Sequence, residues 1–383
     1  MFQIRLLQFH SRVWSRAAFV GHLSSLSFSQ LLRSVTGLQR RLLSTETLSR
    51  MAKPEIFVLS RIPCLAEELK MALQDRANVV EVVAKFTVHD DEPELKYEVT
   101  ERLATTEILV TDVHILKDVL YKLPKMKWIQ LTSAGMDSLL PHIDRTQPTP
   151  KYKIARATCF GILMAEYVVA GIINFERGLY QYYESQQKKE WNDSISTRFR
   201  TLPDLTVGIL GAGVIGNEIA TILKQFGTNV YGFARRQRSA LEVKHSSFNH
   251  IFHSVQDILR SCDYIINILP STPETSGMLN GDTLKQCEKQ PVFINIGRGS
   301  IINEESLINA LTNKWISGAI LDVHTVEPLP PQSLLWTTPN VVITPHISGP
   351  SRSHEIVRSF MINFEHFMKN EELEHIFSFN NGY

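Results

Sequence analysis

The chain has 383 residues, 43% of them hydrophobic and 21% charged, which is the composition of a folded protein with room for two domains and excludes a disordered, collagenous or polybasic chain. The formal charge of +1 is uneven: residues 1–50 hold seven Arg against the single acid Glu46, and the rest holds 33 basic and 38 acidic residues. A mildly acidic body gives no electrostatic reason to expect nucleic acid or an anionic membrane as partner.

Residues 1–50 combine spaced arginines, nine serines and apolar residues, the profile of a mitochondrial transit peptide. The end Arg41-Leu42-Leu43-Ser44 places cleavage near Leu43, so residues 1–43 are expected to address the chain to the mitochondrial matrix. The alternative reading of the segment is a basic extension used for another purpose, and a shorter cytosolic form could start at Met51. No window approaches the roughly 20 apolar residues of a membrane span.

From residue 55 short apolar runs alternate with helical patterns: a strand over 55–60, a helix near 65–76, strands over 78–84 and 106–113, a helix near 115–122 and a strand over 127–133. Such alternation predicts a parallel sheet with crossover helices. The stretch 160–190, apolar first and charged last, predicts one long helix leaving one domain and running along another. A second series begins at Leu205: a strand to Leu210, a helix to about Phe226, the strand NVYGF, a helix over 255–261, the runs YIINIL and VFINIG, a helix over 304–313, and the runs GAILDV and NVVITP. Their continuous apolar character is that of strands buried on both faces. A helix over 351–369 closes the chain. The four cysteines, Cys64, Cys159, Cys262 and Cys287, are scattered without metal-ligand spacing, so no disulfide framework or metal site is expected.

Gly211-Ala212-Gly213-Val214-Ile215-Gly216 follows a strand and opens a helix, the context in which GxGxxG becomes a dinucleotide fingerprint. Gly211 makes the tight turn, Gly213 lets a pyrophosphate approach the backbone, and Gly216 brings helix and strand together. The N–H groups of Val214, Ile215 and Gly216 face the phosphates at a helix N-terminus. The next strand ends without the acid that would accept from a ribose 2′-hydroxyl. Ala234 is followed by Arg235 and Arg236, whose guanidinium groups suit a 2′-phosphate, so NADP(H) is expected over NAD(H). Arg298, Asp322, Glu327 and His346 sit at or just beyond the ends of three further strands, where ligands of such sheets bind.

The runs GAGVIGNEIA, LPSTPETSGMLN, INIGRGSIINEESLINAL, GAILDVHTVEPLP and TPHISG resemble, in order, the signatures of the D-2-hydroxyacid dehydrogenases. TSAGMDSLL (132–140) and MAEYVVAGII (164–173) extend the likeness upstream, the first toward the glyoxylate/hydroxypyruvate reductase branch. The resemblance implies two Rossmann/flavodoxin-like α/β domains: a substrate domain of residues 51–155 with 351–383, and an NADP-binding doubly wound parallel sheet, 156–350, inserted into it. It implies that His346 is the acid/base, that Glu327 orients its ring, and that Arg298 binds the substrate carboxylate. Asp322 would contact the nicotinamide carboxamide. Leu269, Pro270, Thr275, Ile296 and Gly297 would line the cofactor, Ser348 and Gly349 would lie under the nicotinamide, and the loop Ser133-Ala134-Gly135-Met136 would approach the substrate carboxylate. Met136, Trp191 and residues 328–335 are the expected pocket wall, with hinge closure as the motion.

The implied activity is reduction of a small 2-keto acid, glyoxylate or hydroxypyruvate, to its D-2-hydroxy acid with NADPH. Alternatives are another dehydrogenase of the family, of broad 2-ketoacid or phosphoglycerate type, and a dinucleotide-sensing protein like the family's corepressors. The implied assembly is a homodimer, to which the apolar start of the 160–190 helix would contribute.

Overall fold

The computed structural model describes residues 53–82, 97–193, 199–379 and 382; the basic segment 1–43 and Met51 lie outside the described residues. Apolar runs such as Ile56–Leu59 and Ile108–Leu109, buried on both faces, form a five-stranded parallel sheet in the order β2-β1-β3-β4-β5. Its strands are β1 (Glu55–Leu59), β2 (Asn78–Glu81), β3 (Ile108–Thr111), β4 (Trp128–Leu131) and β5 (Lys153–Ala155). Helices α1 (Leu65–Leu73), α2 (Tyr97–Thr105) and α3 (Val113–Leu116) connect them. The run 78–84 is a strand to Glu81, and the helix expected near 115–122 is the single turn α3 followed by turns.

The second sheet is parallel, with the order β12-β11-β10-β9-β6-β7-β8. It contains β6 (Thr206–Leu210), β7 (Asn229–Phe233), β8 (His250–Phe252), β9 (Tyr264–Asn267), β10 (Val292–Asn295), β11 (Gly318–Leu321) and β12 (Val341–Ile343). The chain grows outward from β6 to β8, then returns to pair β9 on the other side of β6. That reversal puts the topological switch point between β6 and β9, the crevice where doubly wound sheets bind ligands.

The stretch 160–190 differs from expectation. It is two helices, α4 (Gly161–Glu176) and α5 (Leu179–Lys188), interrupted where Gly178 takes φ 63°, a left-handed conformation that ends helices. One side of the apolar start of α4 is covered: Met164, Ala165, Val168 and Ile172 are buried, while Ile162 is exposed, and α4 packs on α6 (Val214–Gln225). The remaining helices are α7 (Ala240–Lys244), α8 (Val255–Ser261), α9 (Glu304–Thr312) and α10 (Ser353–Met368).

The C-terminal segment returns to the first sheet, since α10 packs on α1 and Ile376 forms an antiparallel bridge with Ala155 at the edge strand β5. Trp128 of β4 stacks on Phe360 of α10 with ring centroids 4.8 Å apart. No helix among the described residues is long and apolar enough to cross a membrane.

Candidate active site

The carboxyl ends of β6, β7, β9, β10, β11 and β12 carry the residues singled out from sequence. Gly211 adopts φ +123° as β6 turns toward α6, and Gly213 N-caps that helix. A Cβ on Gly216 would lie 2.0 Å from the carbonyl oxygen of Gly211, so glycine is what lets the helix begin this close to the turn. A Cβ on Gly213 would meet nothing within 4 Å, and Val214 is exposed with Ile215 half-buried. Open backbone at a helix N-terminus suits the phosphates of a dinucleotide, and the residues present fit such a cofactor.

Arg235 and Arg236 are both exposed just past β7, and each faces a carboxylate: Arg235 Nη1 lies 3.6 Å from Glu274 Oε2, and Arg236 pairs with Glu242. The backbone N–H of Ser239, then the Arg236 guanidinium, hold the Glu242 carboxyl down at about 2. Arg238 follows them in the same basic loop and is half-buried. Its guanidinium donates to the carbonyl of Ala212 inside the glycine turn, while its Nε is buried without a hydrogen-bond partner. Leu269 and Pro270 follow β9, and Thr275 donates to the Pro270 carbonyl at 2.6 Å, closing that loop on itself.

At the end of β10, Ile296 and Gly297 are buried and lead to Arg298. Its main chain is held by two asparagines in register on neighbouring strands, Asn267 and Asn295. Asn267 Nδ2 donates to Asn295 Oδ1 at 2.9 Å, and Asn295 Nδ2 donates to the Arg298 carbonyl at 3.1 Å. A buried amide pair bonded to each other and to the main chain makes a stiff support. The signal was present in sequence, as the single polar residue late in each of two apolar runs.

The Arg298 side chain reaches the first sheet. Nε donates to Asp137 Oδ2 at 2.8 Å, Nη2 lies 2.7 Å from the same oxygen, and Nη1 donates to the Gly297 carbonyl at 2.7 Å. Gly135 presses on the guanidinium so closely that a Cβ there would stand 1.7 Å from Nη2. The loop expected at the substrate carboxylate is therefore at Arg298, and Ala134 beside it accepts from Arg156 Nη1 at 3.5 Å. Asp112 roots this loop, accepting from Ser60 and Thr132 hydroxyls, both at 2.6 Å, and so tying the ends of β1, β3 and β4. Asp112 and Asp137 were not foreseen.

His346 lies at the end of β12, exposed, with Nδ1 2.8 Å from Glu327 Oε2. The other Glu327 oxygen accepts the His324 N–H at 2.8 Å, which fixes the carboxylate. Burial lowers the His324 imidazole below its ordinary value against the pull of Glu327; its contact with that carboxylate is through the backbone N–H. His346 has φ 55°, a left-handed conformation that costs a non-glycine residue on the order of 1–3 kcal/mol and persists where surrounding contacts over-determine it.

Asp322, Ser348, Gly349 and two residues of the expected pocket wall are placed as follows. Asp322 was expected at the nicotinamide, but none of it is exposed, and its oxygens are taken by the Thr344 hydroxyl at 2.6 Å and the N–H groups of Ile347 and Ser348 at 2.8 Å. It sits beneath the His346 loop. Ser348 is correspondingly buried, and a Cβ on Gly349 would come 3.0 Å from Met164 Cγ, so that glycine packs on α4. Of the expected pocket wall, Met136 is buried in the core of the first sheet, whereas Trp191 is 98% exposed.

Comparison with known proteins agrees with this geometry. The profile of the D-isomer specific 2-hydroxyacid dehydrogenase, NAD binding domain, matches residues 169–348. Glyoxylate/hydroxypyruvate reductase A of Enterobacter sp. (strain 638) is 32% identical over 246 residues, 63% of this chain and 77% of that protein. A D-isomer specific 2-hydroxyacid dehydrogenase family protein from Aeromonas salmonicida subsp. salmonicida A449 superimposes with a TM-score of 0.70 at 29% identity, over 86% of this chain and all of the other. A probable 2-hydroxyacid dehydrogenase from Rhizobium etli CFN 42, solved with NADP, HEPES and L(+)-tartaric acid, gives 0.66 at 25% identity over 86% of this chain and 99% of the other. With two α/β domains, a dinucleotide turn at the switch point and these relatives, the chain is an NAD(P)-dependent oxidoreductase of the D-isomer-specific 2-hydroxyacid dehydrogenase family, of the glyoxylate/hydroxypyruvate reductase-like branch.

Proposed function

We propose that this protein reduces glyoxylate and hydroxypyruvate to their D-2-hydroxy acids with NADPH. The observation that carries the reading is that Arg298, pressed against Gly135, and the paired Glu327 and His346 follow the carboxyl ends of three adjacent parallel strands, β10, β11 and β12. Reduced nicotinamide, when bound, supplies hydride to the carbonyl carbon. Arg298 binds the substrate carboxylate: Asp137 and the Gly297 carbonyl hold its flanks, and a planar guanidinium has donors to spare for a carboxylate. His346 delivers the proton to the carbonyl oxygen from Nε2, because its Nδ1 is engaged with Glu327.

NADPH is favoured over NADH by the absence of an acid at Ala234 and by Arg235 and Arg236, with Arg238 between them and the glycine turn. A phosphate there would displace Glu274 and Glu242 from their arginines. The relative from Rhizobium etli, solved with NADP, supports the same choice. The arginine-rich segment 1–43 supports a mitochondrial location. Exposed Leu179, Tyr180 and Tyr183 of α5, with Trp191, support a homodimer, since apolar surface of this kind is usually covered by a partner.

The test is a comparison of kcat/KM for glyoxylate, hydroxypyruvate, pyruvate and phosphohydroxypyruvate with each cofactor. Highest values for the first two with NADPH are expected. A preference for phosphohydroxypyruvate, or for NADH, would refute the reading.

A further inference from the structure

Behind His346 a chain of hydrogen bonds runs from helix α4 to the loop that carries the imidazole. Tyr167, on α4, has its hydroxyl 2.7 Å from Thr344 Oγ1, and Thr344 donates its only hydroxyl proton to Asp322 Oδ1 at 2.6 Å. The contact between the two hydroxyls must therefore run from tyrosine to threonine. Burial pushes the Tyr167 hydroxyl up to about 12, so it keeps the proton this direction requires. Asp322 in turn accepts from Ile347 N and Ser348 N, and its backbone carbonyl accepts from His346 N at 2.8 Å. Every residue from 346 to 348 is thus tied by its amide to one buried aspartate.

That arrangement has a specific consequence. A histidine with φ 55° sits in a backbone conformation that relaxes unless it is held, and the amides on both sides of its own peptide are the points of attachment. We infer that Tyr167, Thr344 and Asp322 form a positioning relay that locks the backbone of His346 in its left-handed conformation and thereby aims the imidazole. None of the three needs to touch substrate to do this. Thr344 is the central link, because its hydroxyl touches both the Tyr167 hydroxyl and Asp322 Oδ1; Tyr167 acts through Thr344. Two links in series predict that their effects do not add, whereas two independent packing contacts would.

The experiment uses the full chain and the variants Thr344→Val, Thr344→Ser, Tyr167→Phe and the double variant Tyr167→Phe/Thr344→Val. Amide hydrogen exchange of residues 346–348 is measured without ligand, and hydride transfer from NADPH to glyoxylate is followed in single turnovers. Thr344→Val should speed exchange at Ile347 and Ser348, and slow hydride transfer, by about tenfold each, the loss of one buried hydrogen bond to a charged group. KM for glyoxylate and Kd for NADPH should stay within about twofold, a split that general destabilisation would not produce. Thr344→Ser, which keeps the hydroxyl, should restore both readouts. Tyr167→Phe should shift them the same way by about threefold, and the double variant should match Thr344→Val alone.

Unchanged exchange in Thr344→Val, additive effects in the double variant, or a loss confined to NADPH binding would overturn the relay. The hydride readout rests on the proposed reductase activity. A wild-type protein that reduces neither acid refutes that activity, while the exchange rates by themselves still decide the relay.

Discussion

Gly135→Ala is the most direct probe of how the two domains build one site. A Cβ at this position would stand 1.7 Å from Arg298 Nη2, 2.8 Å from Asp137 Oδ2 and 3.0 Å from Arg298 Cζ. To reach ordinary van der Waals contact at 3.4 Å, the guanidinium must retreat by about the 1.7 Å by which the methyl now overlaps it. It has little freedom to do so without breaking its bonds to Asp137 or to the Gly297 carbonyl. A retreat of that size forfeits the charged hydrogen bonds to a substrate carboxylate, roughly 2–3 kcal/mol, or about 30- to 150-fold in kcat/KM. Steady-state kinetics with glyoxylate, alongside NADPH binding by fluorescence and a thermal melt, would read this. The expected pattern is a fall of that size with NADPH affinity unchanged within about twofold. A fall of less than about threefold in a folded variant would show that Arg298 does not hold the substrate from where it stands.

His346→Asn should abolish turnover while leaving NADPH binding intact, as followed by fluorescence; retained turnover would remove the proposed acid. Replacing Arg235 and Arg236 together by Ala should raise KM for NADPH by about tenfold or more and KM for NADH by less than about threefold, since both guanidinium groups are solvent-exposed and screened. Equal effects on the two cofactors would sink the selectivity argument. Acid stability should respond to Glu242. Its carboxyl, ordinarily at 4.5, is held at about 2 by the Ser239 N–H and by Arg236, so its contribution is full above about pH 4.5 and is lost as pH falls toward 2. The melting-temperature gap between wild type and Glu242→Gln should therefore narrow below pH 4.5 in a series of thermal melts, and a gap that stays constant down to pH 3 would refute it.

Much of the scaffold was legible in the chain because parallel strands buried on both faces are written as continuous apolar runs. Val292–Asn295 and Tyr264–Asn267 can hardly be read otherwise, and the glycine turn 211–216 follows its strand directly. Short or edge elements were less visible: β5 and β8 have three residues each, too few to show a period, and α2 and α7 went unread. The 160–190 stretch misled for a local reason. Its apolar-to-charged gradient is real, but one left-handed glycine at 178 divides it into two helices.

Arg298, Glu327 and His346 could be picked out from sequence because a strand-end position is a local property, and their roles in acid/base work and carboxylate binding came from the family resemblance. Apart from Glu327 on His346, a pairing the resemblance implied, the groups that hold them in place could not be named, because hydrogen-bond partners are chosen by the folded chain. Asp137 and Arg298 are 161 residues apart, and Tyr167 and Thr344 are 177 apart; no spacing rule connects either pair. The destination of Asp322 was settled in the same way. Its sequence position beside a strand end suited the cofactor, but burial leaves a carboxylate no water to bond, and the amides of the His346 loop were the donors within reach.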